Sequence, residues 1–204
     1  MLSHYKESLH GVADPVARLL LRAHLRPNQL TVAGLGVSIV AAHAFSQGRF
    51  RLAAGLLTVA GLLDFFDGSL ARLARSESSF GAFLDSVVDR YSDLVILLGI
   101  VIYYERADQP SGVFFTMATL VGTIMVSYTK ARAQSIGTRC EIGLMERPER
   151  MIVLIAGALF NLLFAAVVAL ALLTNLTALQ RIVYVWREGT RRGATPPFRT
   201  SPKE

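Results

Sequence analysis

The chain has 204 residues, of which 52% are hydrophobic and 18% are charged, and its formal net charge is +6. Soluble domains average about 25% charged residues, and a soluble enzyme of this length could not bury so much apolar surface in its core. The apolar residues fall into blocks of about 20, the length that a helix needs to cross the hydrocarbon layer of a membrane. The composition therefore excludes a soluble enzyme and predicts an all-α integral membrane protein.

The first segment, residues 1–27, is predicted to contain an amphipathic helix that lies in the membrane interface. Asp14 followed by Pro15 is typical of a helix start, with the carboxylate as the cap and proline at the first helical position. Arg18 and Arg22 follow among leucines, four residues apart, so their long side chains can reach lipid phosphates. Pro27 ends this juxtamembrane segment.

Residues 28–187 are predicted to form a catalytic domain of six transmembrane helices. The first four predicted spans cover residues 30–46, 52–73, 82–104 and 113–133. Residues 151–186 are mainly apolar but too long for one straight crossing, so two spans joined by a tight turn near Asn161 fit better. Residues 188–204, rich in Pro, Thr and Arg, are predicted to be a disordered cytoplasmic tail.

The distribution of basic residues predicts the orientation in the cell (inner) membrane. With six spans both termini lie on one side, and seventeen of the 21 Lys and Arg residues fall on that side. Arg49, Arg51 and Arg106 fall on the other side, and Arg90 lies within the third span. The positive-inside rule therefore places both termini in the cytoplasm. Basic residues that flank apolar spans also favour anionic lipid headgroups over nucleic acid as partners.

Five aspartates lie in the second and third predicted spans, where each unpaired charge costs roughly 2.5–3.5 kcal/mol. Asp64 and Asp67 share one helix face, and Asp85 and Asp89 share a face of the next helix. Asp93 continues that stripe. For Asp93, a role at the end of the helix and a role in supporting the metal ligands are equally open. Arg72 and Arg90 are too few to neutralise these charges.

Two neighbouring helices can thus present four carboxylates, Asp64, Asp67, Asp85 and Asp89, to one cleft. Such a cleft could bind two divalent ions, Mg²⁺ or Mn²⁺, which hold a phosphate diester or pyrophosphate while a P–O bond is exchanged. On this chemistry alone, a cation or proton pathway through a transporter is an almost equal alternative, because transporters also use intramembrane carboxylates.

The stretch from Asp64 to Asp89 reads D-F-F-D-G-S-L-A-R, then eight residues, then G-A-F-L-D-S-V-V-D. It resembles, at every fixed position, the signature D-x2-D-G-x2-A-R-x8-G-x3-D-x3-D of the CDP-alcohol phosphotransferase family, whose members join a CDP-linked lipid to an alcohol and release CMP. The resemblance implies that Asp64, Asp67 and Asp85 bind metal. It also implies that Asp89 contributes to the metal site and is the general base on the acceptor hydroxyl.

Further donor-binding residues are also implied by the resemblance. Gly68 and Arg72 occupy positions that hold the cytidine diphosphate, Ser78 and Gly81 occupy neighbouring positions, and Pro27-Asn28-x-x-Thr31 matches an element near the nucleotide. The expected residues for CDP-diacylglycerol are Asn28, Thr31, Asp64, Asp67, Gly68, Ala71, Arg72, Ser78, Gly81 and Asp85.

Two motifs outside the signature bear on the acceptor alcohol. S-Y-x-K-A-R-A at residues 127–133 and E-R-P-E-R at residues 146–150 are similar to bacterial phosphatidylinositol phosphate synthases and related members that use inositol phosphate. The D-P-x-A-D-K form common in phosphatidylglycerophosphate synthases does not occur at residues 85–90. The resemblance therefore implies a phosphorylated polyol, best matched by inositol 1-phosphate, with glycerol 3-phosphate as the alternative.

A phosphorylated acceptor needs cations near its phosphate, and we expect Lys130, Arg150 and, more weakly, Arg181 to supply them. Arg132, Arg139 and Arg147 are interpreted instead as positive-inside anchors. Stripes of Phe and Leu in the last three spans are interpreted as lipid-facing or packing surface, including the interface of an expected homodimer.

Overall fold

The structure is a computed structural model that describes residues 26–73 and 78–191. Within these residues the secondary structure is entirely helical, which confirms the predicted all-α class. The six helices are α1 (Pro27–Ser46), α2 (Phe50–Leu73), α3 (Ser79–Arg106), α4 (Pro110–Ser135), α5 (Arg147–Leu159) and α6 (Leu163–Arg191). The predicted amphipathic helix falls in residues that are not described.

Four of these helices, α1, α2, α4 and α6, are long and apolar enough to cross a membrane. Helix α3 has 28 residues, but it carries Asp85, Asp89, Arg90 and Asp93 close together. Helix α5 has 13 residues, which corresponds to roughly 20 Å of helix, less than the hydrocarbon thickness of about 30 Å. The predicted count of six spans is therefore not confirmed.

Two details of the helix boundaries bear on the predictions. Helices α5 and α6 are separated by a turn in which Asn161 has a φ of 55°, a left-handed conformation that asparagine tolerates better than most residues. This confirms the predicted turn near Asn161.

Helix α6 continues to Arg191, so the prediction that the disordered tail begins at residue 188 is wrong, because the helix extends past that boundary.

The helices pack closely where their facing side chains are small. Helix α1 lies against α2 and α3, α4 against α3 and α6, and α5 against α2 and α6. A Cβ atom added to Gly99 in α3 would lie 2.3 Å from the carbonyl oxygen of Ala42 in α1, so the two backbones are in direct contact there. Between α4 and α6, Thr119 Oγ1 donates a hydrogen bond of 2.9 Å to the carbonyl of Val167. Small residues and interhelical hydrogen bonds of this kind drive helix association in membranes, where the hydrophobic effect between helices is weak.

Candidate metal and substrate site

Three of the predicted metal ligands come together where the C-terminal part of α2 faces the N-terminal part of α3. Asp64, Asp67 and Asp85 each offer one carboxylate oxygen, and these oxygens lie within 4.8 Å of one another. Asp67 is buried, and the other two are half-buried. Hard anionic oxygens at this spacing are the ligands that Mg²⁺ and Mn²⁺ prefer. The donor set therefore fits the predicted divalent cation.

Helix α1 contributes to this site through Thr31. Its Oγ1 donates a hydrogen bond of 2.7 Å to Oδ2 of Asp67, and both side chains are buried. Thr31, which we predicted as a donor-binding residue, thus lies beside the carboxylates and orients one of them.

Asp89 is not part of the group of three, and its carboxylate lies against Arg147 at the start of α5. Arg147 NH1 is 2.6 Å from Oδ1 of Asp64 and 2.7 Å from Oδ1 of Asp89. Its Nε is 3.6 Å from Oδ1 of Asp93. One guanidinium therefore contacts three carboxylates that lie on two different helices.

The interpretation of Arg147 as a positive-inside anchor is wrong, because its side chain is only 17% exposed and lies among carboxylates. An anchoring arginine would extend towards lipid headgroups. A signal for this residue was present in the sequence: five aspartates and only Arg72 and Arg90 in the same two spans require cations from another segment. The sequence did not indicate which basic residue would supply them.

The predicted acceptor residue Arg150 lies one helical turn further along α5. Its NH2 is 2.5 Å from Oδ2 of Asp93, and its NH1 donates a hydrogen bond of 3.2 Å to the carbonyl of Met145. Arg150 is 5% exposed. Asp93 thus has a defined role in the described structure, as the partner that holds the first turn of α5 against α3.

The other two predicted acceptor residues meet on one carboxylate oxygen. Lys130 Nζ lies 2.9 Å and Arg181 NH2 lies 3.1 Å from Oε1 of Glu146. Burial tends to raise the pKa of Glu146, but the hydrogen bond and charge of Lys130, together with the charge of Arg181, bring it below its ordinary value. The structure therefore brings Lys130 and Arg181 together, and it places Arg150 with Asp93 instead.

Arg181 also organises the loop that precedes α5. Its Nε donates to the carbonyl of Ile142 at 2.7 Å and its NH1 to the carbonyl of Val126 at 2.6 Å. Gly143 has a φ of 151°, and a Cβ atom there would lie 2.8 Å from Arg181 NH2. The loop can approach Arg181 so closely only because residue 143 has no side chain.

The remaining predicted donor residues lie around the start of α3 and the end of α2. Ser78 caps α3 by accepting a hydrogen bond of 3.0 Å from the amide of Gly81. Oδ1 of Asn28 lies 3.5 Å from the position of a Cβ atom at Gly81, which brings α1 to the same place. A Cβ atom at Gly68 would meet nothing within 4 Å, so a ligand has room there. Arg72 is exposed, with its NH2 3.2 Å from Ser69 Oγ.

The side chain of Ala71 falls outside the description. Of the described donor residues, Thr31 contacts the carboxylate group. The predicted acceptor residues lie on three helices, Lys130 on α4, Arg150 on α5 and Arg181 on α6.

Comparison with known proteins finds similarity over most of the chain. The profile of the CDP-alcohol phosphatidyltransferase family matches residues 24–186. Archaetidylinositol phosphate synthase of Methanothermobacter thermautotrophicus is 35% identical over 193 residues, which is 92% of this chain and 95% of that protein. Phosphatidylinositol phosphate synthase of Mycobacteroides abscessus is 34% identical over 158 residues, 76% of this chain and 72% of that protein.

Two crystal structures of phosphatidylinositol phosphate synthase from Mycobacterium tuberculosis are similar to this fold. The structure with CDP-DAG bound has a TM-score of 0.79 and 30% identity, and covers 94% of this chain and 99% of its own. The complex with manganese and citrate has a TM-score of 0.80 and 31% identity, and covers 93% of each chain. The similarity thus extends over nearly the whole of both folds.

Proposed function

The chain belongs to the CDP-alcohol phosphatidyltransferase family, and from this premise we propose that it transfers the phosphatidyl group of CDP-diacylglycerol to inositol 1-phosphate, releasing CMP. The observation that carries this proposal is the group formed by Asp64, Asp67 and Asp85, three residues of the family signature, whose oxygens lie within 4.8 Å of one another and could hold a divalent cation. A CDP-DAG-bound relative with 30% identity supports the donor. Relatives named for archaetidyl and for phosphatidyl products share inositol phosphate in their names, which supports the acceptor.

Different residues of the chain bind the metal and accept the proton in the proposed reaction. Asp64, Asp67 and Asp85 would hold divalent metal, for which we propose two ions with Asp89 as a further ligand. Bound metal of this kind polarises the diphosphate of the donor and stabilises the charge that develops on it. Asp89 accepts the proton of the acceptor hydroxyl, whose oxygen attacks the β-phosphorus. The bond from that phosphorus to the CMP oxygen breaks, and CMP leaves. General-base assistance of this type is worth roughly 10²–10⁴-fold in rate.

The acceptor phosphate is proposed to be bound by Lys130 and Arg181, which meet at Glu146, and by Arg150, which is paired with Asp93 in the structure. Of the three, Lys130 has the most accessible side chain, 37% exposed, whereas those of Arg150 and Arg181 are 6% and 1% exposed. Lys130 shares Glu146 with Arg181, so an incoming phosphate competes with one carboxylate for both cations. This makes Lys130 the residue expected to move when the acceptor binds.

We also propose the arrangement in the membrane. Helices α1 to α6 form one catalytic domain, in which α3 and the shorter α5 accompany the four apolar helices to give six crossings. The charges of α3 pair with Arg147 and Arg150, which lowers their cost within a membrane. Both termini and the active site face the cytoplasm of a cell (inner) membrane. The basic residues that flank the apolar helices contact anionic lipid, and the protein is a homodimer.

An assay of CMP release tests the function. The purified protein is given CDP-diacylglycerol and Mg²⁺ or Mn²⁺, with inositol 1-phosphate, glycerol 3-phosphate or unphosphorylated inositol in turn. CMP release that depends on inositol 1-phosphate supports the proposal. Release with glycerol 3-phosphate instead indicates the alternative, a phosphatidylglycerophosphate synthase. No CMP with any alcohol, together with ion flux in sealed vesicles that lack CDP-lipid, would indicate a cation transporter and overturn the proposal.

A further inference from the structure

Arg147 places a positive charge directly inside the carboxylate site. Its guanidinium comes from α5 and contacts Asp64 of α2 and Asp89 of α3 through the same nitrogen, NH1, at 2.6 and 2.7 Å. Nevertheless, Arg147 NH1, Arg147 Nε and Asp89 Oδ1 are buried atoms without a well-aligned hydrogen bond. The two carboxylates therefore share one nitrogen of a single guanidinium, so Arg147 contributes one positive charge to a site with several negative ones.

A divalent cation and Arg147 would compete for the carboxylate of Asp64. Asp64 is one of the three residues whose oxygens converge for a divalent cation, and it is also a partner of Arg147. Two positive charges that share one carboxylate repel each other strongly in a partly buried site. Oδ1 of Asp93 on α3 lies 3.6 Å from Nε of Arg147, so Asp93 is a second carboxylate towards which the guanidinium can turn.

We propose that Arg147 is a positioning residue that competes with the divalent cation for Asp64 and Asp89. Without the cation, Arg147 holds the two carboxylates together. When the cation binds, Arg147 releases Asp64 by turning towards Asp93. The inference rests on the proposed function in one respect, namely that the carboxylate group binds a divalent cation. Arg147 thereby sets the affinity of the site for metal.

Direct measurement of Mn²⁺ binding tests this competition without relying on activity. Free Mn²⁺ is titrated by electron paramagnetic resonance against the purified full chain at about pH 8, where protons compete weakly for carboxylates. The Kd for Mn²⁺ is expected to fall about tenfold in Arg147→Gln, because displacing a partly buried ion pair of ordinary strength costs about that factor. Arg132→Gln, which removes an exposed charge with no carboxylate partner among the described contacts, is the matched control and is expected to leave the Kd unchanged.

A second variant covers the case in which Arg147→Gln does not fold. Arg147→Lys keeps the positive charge but presents a single ammonium on a shorter side chain, and it is expected to lower the Kd for Mn²⁺ by a smaller factor. Mn²⁺ is also expected to raise the Tm of either variant more than that of the wild type. An unchanged or weaker Mn²⁺ affinity in the variants that fold would overturn the proposal. A wild-type chain that binds no Mn²⁺ would overturn the metal-dependent function as well, so the two failures are distinguishable.

Discussion

Thr31 and Asp67 are joined by a buried hydrogen bond of 2.7 Å that spans 36 residues of sequence. The bond joins the first turn of α1 to the carboxylate group and restrains the orientation of the Asp67 side chain. It also places the P-N-x-x-T element beside the carboxylate group, because its threonine donates to Asp67, a proposed metal ligand.

Replacement of Thr31 by valine tests this link, because valine has nearly the same shape and no hydroxyl. We expect the loss of the bond to leave one buried oxygen of Asp67 without its donor, at a cost of about 1–3 kcal/mol. The CMP release rate at limiting Mn²⁺ is expected to fall about tenfold or more. Thr31→Ser keeps the hydroxyl and is expected to retain most of the activity. Full activity of Thr31→Val would show that the bond does not position Asp67.

Asp89→Asn tests the assignment of the general base. The amide cannot accept the proton of the acceptor hydroxyl, so turnover is expected to fall by roughly 10²–10⁴-fold. Binding of CDP-diacylglycerol, measured by equilibrium titration, is expected to remain largely intact. Asp93→Asn is the comparison, since Asp93 lies on the same helix face but contacts Arg150. Wild-type rates in Asp89→Asn would remove Asp89 as the base.

Lys130→Ala tests the acceptor pocket. Lys130 is expected to contact the acceptor phosphate but not the donor, so its loss should raise the KM for inositol 1-phosphate about tenfold and change the KM for CDP-diacylglycerol little. Arg150→Ala is expected to show the same split, but it also removes the shorter of the two ion pairs of Asp93 and should lower the Tm. Arg132→Ala, an exposed neighbour, serves as the control. Equal effects on both KM values would contradict an acceptor-phosphate site.

Gly99→Ala tests the close contact between α1 and α3. A Cβ atom at residue 99 would lie 2.3 Å from the backbone of Ala42, so one helix must shift. Overpacking of this kind typically costs about 1–3 kcal/mol, and the Tm in detergent is expected to fall accordingly. At Gly55 a Cβ atom would meet nothing within 4 Å, so Gly55→Ala is the matched control. An unchanged Tm for Gly99→Ala would indicate that the helices pack less closely.

The sequence predicted the elements whose signals are local. The spacing of Asp64, Asp67 and Asp85 was sufficient to expect one cleft between two helices, and the long apolar stretch was sufficient to expect a turn near Asn161. The role of Arg147 was not predictable in the same way, because basic residues at the ends of apolar segments usually anchor a helix in the interface. Its insertion among aspartates depends on where α5 packs, and no local pattern encodes that.

The start of α5 was missed for a related reason. The apolar stretch begins only at Met151, whereas the helix begins at Arg147 because Pro148 suits the first turn. Likewise, Lys130 and Arg181 were each recognised as candidate cations, but their shared partner Glu146 follows only from the packing of α4 and α6 around one loop.

The pH dependence of stability offers a final test of that shared partner. The pKa of Glu146 is lowered by Lys130 and Arg181, despite burial that acts in the opposite direction. A carboxyl group whose folded pKa is depressed stabilises the fold above its unfolded pKa of about 4.3, and the contribution is lost as the pH falls through the lower folded value. Glu146→Gln is therefore expected to have a lower Tm than the wild type at neutral pH, with the difference narrowing towards about pH 3. Thermal unfolding of both proteins across this range measures the difference. A gap that stays constant with pH would show that the charge of Glu146 does not contribute, and that its contacts with Lys130 and Arg181 are held by packing alone.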